Sequence, residues 1–249
     1  MNLLLEIARC PNVSTCFRDP QTTHPCSNIV ASQQAASLDV YHVPEPWNGQ
    51  IERAPLLFIS SNPSFNKKEE FPLQSWDDSS ITDYFTHRFG GGRKLWVKKG
   101  TIGLLPDGTY AKPTLFWRAV KQRAKELLER PVKPGVDYAL TEVVHCKSRR
   151  QKGVDEALNE CSQRYLKRTI EISGAGVIVV LGRVARVVTK GFYDIPQETH
   201  LSIPIEIGSK NRIFLFLPHP SAPTHNTFFD HYSIEELNQI RSHLLQSSL

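Results

Sequence analysis

The sequence predicts an α/β fold of three layers, in which a central four-stranded parallel sheet is covered by helices on both faces. Four short apolar runs closed by turn-forming residues are typical of buried strands. Helical patterns alternate with these runs, and such alternation favours a parallel sheet with both faces covered. The four predicted strands are residues 54–60, 137–144, 176–182 and 212–218.

The predicted helices are recognised by their start and stop signals and by apolar spacing. The first opens on Thr114 and stops before Pro131. The last begins with a capping box, in which Ser233 is followed three residues later by Glu236, and its aliphatic residues share one face. The helical segments are residues 114–130, 154–172, 183–192 and 233–245.

Length and composition indicate one domain over residues 1–249, with residues 1–53 as an N-terminal cysteine-bearing segment packed on it. No apolar run approaches the ~20 residues that a membrane span needs, and the N-terminus lacks the pattern of a secretion signal. We therefore expect a cytoplasmic protein, monomeric and without a membrane partner. A net charge of +5 permits a polyanionic partner such as DNA.

The chemistry is expected just after the strands, because ligands of parallel α/β sheets bind beyond the carboxyl ends of the strands. His219 follows the last strand and lies between Pro218 and Pro220. Each proline fixes its own φ and restricts the residue before it, so the imidazole should be held at one point above the sheet. The four strand ends carry "SNPSFN", "HCKSRR", "GRVA" and "HPSAPTH".

These strand ends resemble the uracil-DNA glycosylase superfamily. "FISSNPSF" is similar to its first active-site motif, and "LPHPSAPTH" is similar to its second, the histidine-proline-serine loop. "TEVVHCKSRR" and "ECSQRYLKRTIEISGAGVIVVLG" are similar to the second and third strands of its iron–sulfur branch. The resemblance covers most of residues 54–225, and the four-stranded parallel sheet of the superfamily agrees with the fold predicted above.

The resemblance implies a hydrolase that flips a pyrimidine out of DNA and cleaves its N-glycosidic bond, leaving an abasic site. His219 would donate a hydrogen bond to O2 of the base and stabilise its negative charge. Asn62 would orient the attacking water or contact the sugar and base, although an amide is a weak base. No lysine is evidently placed as a Schiff-base nucleophile, so we expect a monofunctional enzyme without lyase activity.

The base-binding candidates are Glu142, Ser61 and the aromatic residues that follow Asn62. Glu142 departs from the iron–sulfur branch, which has an asparagine at this position. An ionised carboxylate repels O4 of uracil but accepts from N4 of cytosine, whereas a protonated one donates to N3. We therefore expect a cytosine-type base, 5-modified cytosines included. For stacking on the base we favour Phe71 over Phe65 and Trp76.

Three alternatives to this reading stay open. Glu142 is an exposed strand residue if this strand is aligned with the family motif in the wrong register. The protein is a uracil-excising repair glycosylase if the base-contacting residue does not select cytosine. A catalytically weak protein that binds DNA or abasic sites through the same pocket is the third possibility.

The cysteines form a candidate metal site. Cys146 and Cys161 are close to the spacing of the two downstream ligands in the iron–sulfur branch, and Cys10 follows a short helical pattern as the first ligand does there. The resemblance favours a [4Fe–4S] cluster on Cys10, Cys16, Cys146 and Cys161, with Cys26 as the rival for the second place. Zinc, or scattered buried thiols without a metal, are the alternatives.

Two loops are candidate DNA contacts. The basic loop at residues 147–153 could bind phosphates, and the loop after His219 could enter the minor groove or replace the flipped base. The DNA-binding candidates are Lys147, Arg149, Arg150, Ser221, Thr224 and His225.

Overall fold

The computed structural model describes residues 2–19, 21–222 and 227–247. Its strands are short, and those of the sheet core are rich in aliphatic and aromatic residues. The strands are β1 (Leu56–Ser60), β2 (Val97–Lys98), β3 (Ile102–Gly103), β4 (Tyr138–Glu142), β5 (Val177–Leu181), β6 (Ile205–Ile207) and β7 (Lys210–Leu217).

The helices include three short ones before β1 and five longer ones after it, together with two 3-10 turns. Each of the four predicted helical segments is a helix in the structure, with ends within about two residues of those predicted. The helices are α1 (Leu3–Ala8), α2 (Pro11–Arg18), α3 (Ser27–Ser32), α4 (Asp78–His87), α5 (Leu115–Leu128), α6 (Val154–Ile172), α7 (Arg183–Phe192) and α8 (Ile234–Ser247), and the 3-10 turns are Leu38–Val40 and Phe228–Asp230.

The main sheet has the order β4-β1-β5-β7-β6. Strands β4, β1, β5 and β7 are mutually parallel, as the sequence predicts. The prediction of four strands is corrected to five, because β6 adds an antiparallel edge strand that pairs with β7. A second, two-stranded sheet pairs β2 with β3. Strands of two or three residues are too short to produce a recognisable alternation of apolar and polar residues, so the sequence pattern does not indicate them.

Helices cover both faces of the main sheet. Alternate residues of β1 point to opposite faces, so that Leu57 and Ile59 pack with α1, α4, α6 and α7, whereas Leu56 and Phe58 pack with α5 and α8. Both faces are buried, which is why the strands are continuously apolar. None of the described helices is long and apolar enough to cross a membrane.

The N-terminal segment packs on one of these faces and also covers the edge of the sheet. Leu4, Ile7 and Val13 belong to the same buried cluster as β1 and α6. Farther along, Asn48 exchanges two backbone hydrogen bonds with Leu140 of β4, with N···O distances of 2.8 and 3.1 Å. This pairing occupies the edge that β4 would otherwise expose.

Candidate active site

A cavity of about 340 Å³ opens at the carboxyl ends of β1, β4 and β7. Asn62 follows β1, Glu142 is the last residue of β4, and His219 follows β7. All three side chains line the cavity. The structure therefore brings together the residues that the sequence analysis placed at three separate strand ends, and we call this cavity the base pocket.

The Asn62 side chain is held by its amide nitrogen. Nδ2 donates to the carbonyl oxygen of Pro63 and to Oγ of Ser148, both at 3.1 Å. Ser61 Oγ lies 3.4 Å from Oδ1, at the long limit for a hydrogen bond. Because the two amide hydrogens already have acceptors, Oδ1 is the Asn62 atom that can accept a hydrogen bond from a molecule in the pocket.

The His219 ring is positioned by stacking and by a backbone donor. It stacks on Phe116, with ring centroids 5.6 Å apart and planes inclined by 27°. The Ser221 N–H donates to Nδ1 at 3.2 Å, so in the neutral ring the proton is on Nε2. Partial burial, aided by the Arg123 guanidinium, lowers the pKa of His219. The ring is therefore neutral at pH 7 and has one N–H to donate.

Gly182, which lies between β5 and α7, fits closely against this histidine. Its φ is +84° and its ψ is 172°, a combination that is essentially restricted to glycine. A Cβ atom at this position would lie 3.1 Å from the Cβ atom of His219. Glycine is thus needed here both for the backbone conformation and for the space that His219 occupies.

One wall of the base pocket consists of five ionisable side chains, which we call the charged cluster. Lys147 Nζ lies 2.8 Å from Glu69 and 3.9 Å from Glu45. Arg88 Nη1 lies 3.2 Å from Glu45, and its Nη2 donates to Glu69. Glu142 completes the cluster, which is largely buried and contains three carboxyl groups and two cations.

Glu142 is the carboxyl group of the cluster with the fewest partners. It is 4% exposed, and no described residue makes a hydrogen bond to its Oε2 atom. Burial and the neighbouring Glu45 carboxylate raise the pKa of Glu142 well above its ordinary value, against the opposing effect of Arg88 and Lys147. Ser60 makes a side-chain hydrogen bond to this carboxyl group, which leaves Oε2 as the oxygen without a partner. A protonated carboxyl group has one donor and keeps acceptor capacity on its oxygens. The possibility that it is an exposed strand residue is excluded by its burial.

Comparison with known families agrees with this arrangement. A model described as the uracil DNA glycosylase superfamily matches residues 46–239, which include every strand of the main sheet. The chain belongs to the uracil DNA glycosylase superfamily. Members of this superfamily are DNA glycosylases, so family membership indicates this enzyme class and DNA as the partner. A comparison with curated proteins finds no match.

The structure corrects two of the predicted roles, the binding of a DNA phosphate by Lys147 and the stacking of Phe71 on the base. Lys147 is 2% exposed and paired with Glu69, so it is not available to bind a DNA phosphate. Phe71 is 3% exposed and does not line the base pocket. It lies between the His42 ring, with centroids 5.3 Å apart, and the Lys147 ammonium, which is 3.6 Å from its centroid. Lys147 is thus a member of the charged cluster, and Phe71 packs against it from within the core.

Of the other predicted residues that the structure describes, Ser221 alone lines the pocket. It is exposed, whereas Ser61 and Phe65 are not among the lining residues. Arg149 is exposed, lies over the Phe65 ring at 5.1 Å and donates to Gln34. Arg150 is also exposed. Trp76 packs against Tyr84 and Trp96. Thr224 and His225 lie outside the described residues.

The sequence analysis missed the residues that form the opposite wall. Phe116 and Trp117, at the start of α5, line the pocket, as do Leu104 and Leu105 after β3. A signal for α5 existed in the sequence. The helix that precedes β4 runs antiparallel to the strands, so its first turn lies at the carboxyl edge of the sheet. No comparable signal exists for the loop after β3.

A second group of predicted residues lies beside the segment that follows β4. Cys10, Cys26, Cys146 and Cys161 line one small cavity. Cys16 is buried but does not line it, and its sulfur lies 3.9 Å from Ser27 Oγ. The thiols are close enough to influence each other, since Cys161, Cys10 and Cys26 all help burial to raise the pKa of Cys146. Cys26, which the sequence analysis gives as the rival for the second place, therefore belongs to the group of four that lines this cavity, and Cys16 does not.

Hydrogen-bond donors surround the four thiols. The His145 N–H donates to Cys161 Sγ at 3.3 Å, and Asn12 Nδ2 lies 3.9 Å from Cys26 Sγ. The buried Tyr41 hydroxyl interacts with Cys146 and that of Tyr165 with Cys10, and neither makes a hydrogen bond to nitrogen or oxygen in the described part of the chain. Sulfur atoms with a negative charge are good acceptors for such donors, so the cavity suits thiolate ligands.

The thiols do not converge on a single point. Within the described residues, no group of three or more cysteine, histidine or carboxylate side chains is arranged to hold a metal ion. A single zinc ion draws its four sulfur ligands to ~2.3 Å from one centre. In an iron–sulfur cluster each thiolate binds its own iron atom, so the sulfurs lie farther apart.

Proposed function

We propose that the protein is a monofunctional DNA glycosylase that flips out a cytosine-type base, 5-modified cytosines included, and hydrolyses its N-glycosidic bond. The observation that carries this proposal is the buried, unpartnered Oε2 atom of Glu142 in the same pocket as Asn62 and His219. An unpartnered buried polar atom is costly unless a ligand satisfies it. A base in the pocket is the natural partner.

The reaction uses the two residues at the ends of β1 and β7. The bond between C1′ of the sugar and N1 of the base breaks, and its electron pair goes to the base. The Nε2–H of His219 stabilises the negative charge that develops on O2. Asn62 Oδ1 accepts a hydrogen bond from the water that attacks C1′, and the water loses its proton to solvent. Because an amide is a weak base, this role is orientation of the water.

Glu142 supplies the preference for cytosine. A protonated Glu142 donates to N3 of cytosine while its other oxygen accepts from the N4 amino group. As the glycosidic bond breaks, the proton moves to N3 and neutralises the departing base. In uracil N3 already carries a hydrogen, so the carboxyl group can form hydrogen bonds but has no N3 lone pair to protonate. General acid catalysis therefore favours cytosine.

The charged cluster also supports a base that carries a polar substituent. Past Glu142, the pocket is lined by Glu69, Arg88 and Lys147, and Arg88 Nε has no hydrogen-bond partner among the described residues. An unsubstituted base has no polar group at C5 that could accept from this Nε–H. A hydroxyl-bearing group on the base offers both donors and acceptors to it.

We further propose that Cys10, Cys26, Cys146 and Cys161 hold a [4Fe–4S] cluster. The support is the shared cavity and the ring of hydrogen-bond donors around the sulfurs. The cluster would supply a covalent link between the N-terminal segment and the segment after β4. Bound iron and acid-labile sulfide, at about four of each per chain, would be measured in protein purified without oxygen.

The test of the base preference is single-turnover cleavage of oligonucleotides that contain uracil, cytosine, 5-methylcytosine or 5-hydroxymethylcytosine, with alkaline cleavage of the abasic product. We expect release of a cytosine-type base, lowered about 100-fold by Glu142→Gln, which keeps the shape but cannot transfer a proton. The exposed Glu52 gives the control Glu52→Gln, which should leave the rate unchanged.

The other outcomes contradict the proposal in distinguishable ways. Preferential release of uracil, with no change of preference in Glu142→Gln, would identify a uracil-excising enzyme. Tight DNA binding without release of any base would identify a protein that recognises a base or an abasic site.

A further inference from the structure

Ser148 contacts Asn62 from the segment that follows β4. It is 2% exposed, and its Oγ atom lies 3.1 Å from Asn62 Nδ2. Two backbone hydrogen bonds fix this serine against the loop that carries Asn62. The Ser148 N–H donates to the Pro63 carbonyl at 3.1 Å, and the Phe65 N–H donates to the Ser148 carbonyl at 3.0 Å. The hydroxyl is therefore held at a constant place relative to the amide.

The orientation of the amide decides which of its atoms faces the pocket. Its oxygen and nitrogen ends are nearly the same in shape, so only hydrogen-bond partners distinguish the two orientations. The Pro63 carbonyl and Ser148 Oγ both act on the nitrogen end. The Pro63 carbonyl can only accept, so it selects the nitrogen end, whereas the Ser148 hydroxyl holds the amide in place beside it. Without this hydroxyl the amide is held by one contact instead of two, and conformations in which Oδ1 is turned away from the pocket become more populated.

We propose that Ser148 is a positioning residue of the glycosylase reaction, which keeps Asn62 Oδ1 directed at the attacking water. This inference rests on the function proposed above. Ser148 itself touches neither water nor base in this role. Its effect is on the fraction of enzyme molecules whose amide is correctly oriented, and this fraction changes the rate of base release rather than the affinity for DNA.

The experiment compares Ser148→Ala with the wild-type enzyme under single-turnover conditions. We expect the maximal rate of base release to fall about tenfold, which corresponds to the loss of roughly one hydrogen bond of ~1.4 kcal/mol. The enzyme concentration at half-maximal rate should not change. Ser148→Thr, which retains a hydroxyl group, should recover most of the rate.

Ser173 provides a matched control. It is also 2% exposed, and its hydroxyl donates to the Ile170 carbonyl at 2.8 Å, away from the base pocket. Ser173→Ala therefore removes a buried hydrogen bond of the same kind. It should lower the stability to urea as much as Ser148→Ala does, with the rate of base release unchanged.

The double variant Ser148→Ala/Asn62→Ala distinguishes a positioning role of Ser148 from a general disturbance of the active site. If Ser148 acts through Asn62, Ser148→Ala causes no further loss of rate in the Asn62→Ala background. An equal tenfold loss in both backgrounds, or a wild-type rate in the single variant, would overturn the inference while the proposed function stands. A wild-type protein that releases none of the bases would instead overturn the proposed function.

Discussion

Replacement of Gly182 by alanine tests whether the position of His219 controls base release. The φ and ψ angles of Gly182, +84° and 172°, lie in a region that costs a residue with a Cβ atom about 1–3 kcal/mol. The new Cβ atom would also lie 3.1 Å from Cβ of His219 and 3.6 Å from its Cδ2. Ordinary carbon contacts are longer, so His219 must move by a few tenths of an ångström.

We expect two separate effects of Gly182→Ala. The free energy of unfolding in urea should fall by about 1–3 kcal/mol, because of the backbone strain. The single-turnover rate of base release should fall about tenfold, since a displacement of 1 Å can cost about 100-fold and this one is smaller. The affinity for DNA should change little, because His219 acts on the charge that develops as the bond breaks.

Substitutions of two other glycines distinguish the effect of backbone strain from the effect of displacing His219. At Gly191, within α7, a Cβ atom meets nothing within 4 Å, and Gly191→Ala should stabilise the fold by about 0.5–1 kcal/mol. At Gly208, between β6 and β7, φ is +63° and the nearest atom is at 3.4 Å, so Gly208→Ala adds mainly strain. Both should keep the wild-type rate. A wild-type rate in Gly182→Ala as well would refute the reasoning that contact with Gly182 positions His219.

The cysteine ligands, the role of Phe116 and the protonation of His42 can each be tested with single variants. Cys26→Ser should abolish iron binding while Cys16→Ser retains it, and the reverse result would restore Cys16 as the ligand. Phe116→Ala should weaken productive binding of the flipped base about tenfold, because it removes the ring beside His219 on which the base can stack. An unchanged enzyme concentration at half-maximal rate would contradict this role. Burial and Lys147 lower the pKa of His42 to about 4. The neutral ring therefore contributes fully to the stability of the fold above pH 6.5, and this contribution is lost as the pH falls towards 4. Between pH 7.5 and 5, His42→Asn should therefore lose about 2 kcal/mol less stability in urea than the wild type does, and equal losses would refute it.

The fold could be predicted largely because its main elements have strong patterns. The helix at residues 154–172 has the same bounds in the sequence prediction and in the structure, and the four parallel strands are continuous apolar runs. By contrast, β6 and the β2–β3 pair are too short for periodicity to act as a signal, and they depend on neighbouring strands for their definition. Local patterning specifies the core of the sheet but not its edge.

The same distinction applies to the candidate site. Asn62, Glu142 and His219 could be singled out because each lies at or just beyond a predicted strand end, where a parallel sheet places its ligands. The only signal for Phe71 in the stacking role is that it is an aromatic residue close to Asn62 in the chain. Distance along the sequence does not tell whether a ring faces a pocket or the core, and this ring faces the core.

Lys147 shows why a charged loop residue can be misassigned. It belongs to a basic stretch, "KSRRQKG", that is typical of an exposed loop, and Arg149 and Arg150 are indeed exposed. Its neighbours on either side, Cys146 and Ser148, are also buried. The carboxylate that makes burial of Lys147 possible is Glu69, 78 residues earlier in the chain. A buried ammonium needs such a partner, and no local pattern identifies one at that separation.

The protonation state of Glu142 depends on these long-range pairs rather than on its own position in the sequence. The sequence leaves open whether the carboxyl group meets the base as an acceptor or as a donor. In the folded chain Lys147 pairs with Glu69, and Arg88 lies against both Glu45 and Glu69, so the two cations already have carboxylate partners. A third carboxylate would give the cluster a net negative charge in a buried site, and a proton on Glu142 avoids this cost. The proposed selection of cytosine at this pocket therefore follows from Glu45 and Glu69, which keep the cations occupied, as much as from Glu142 itself.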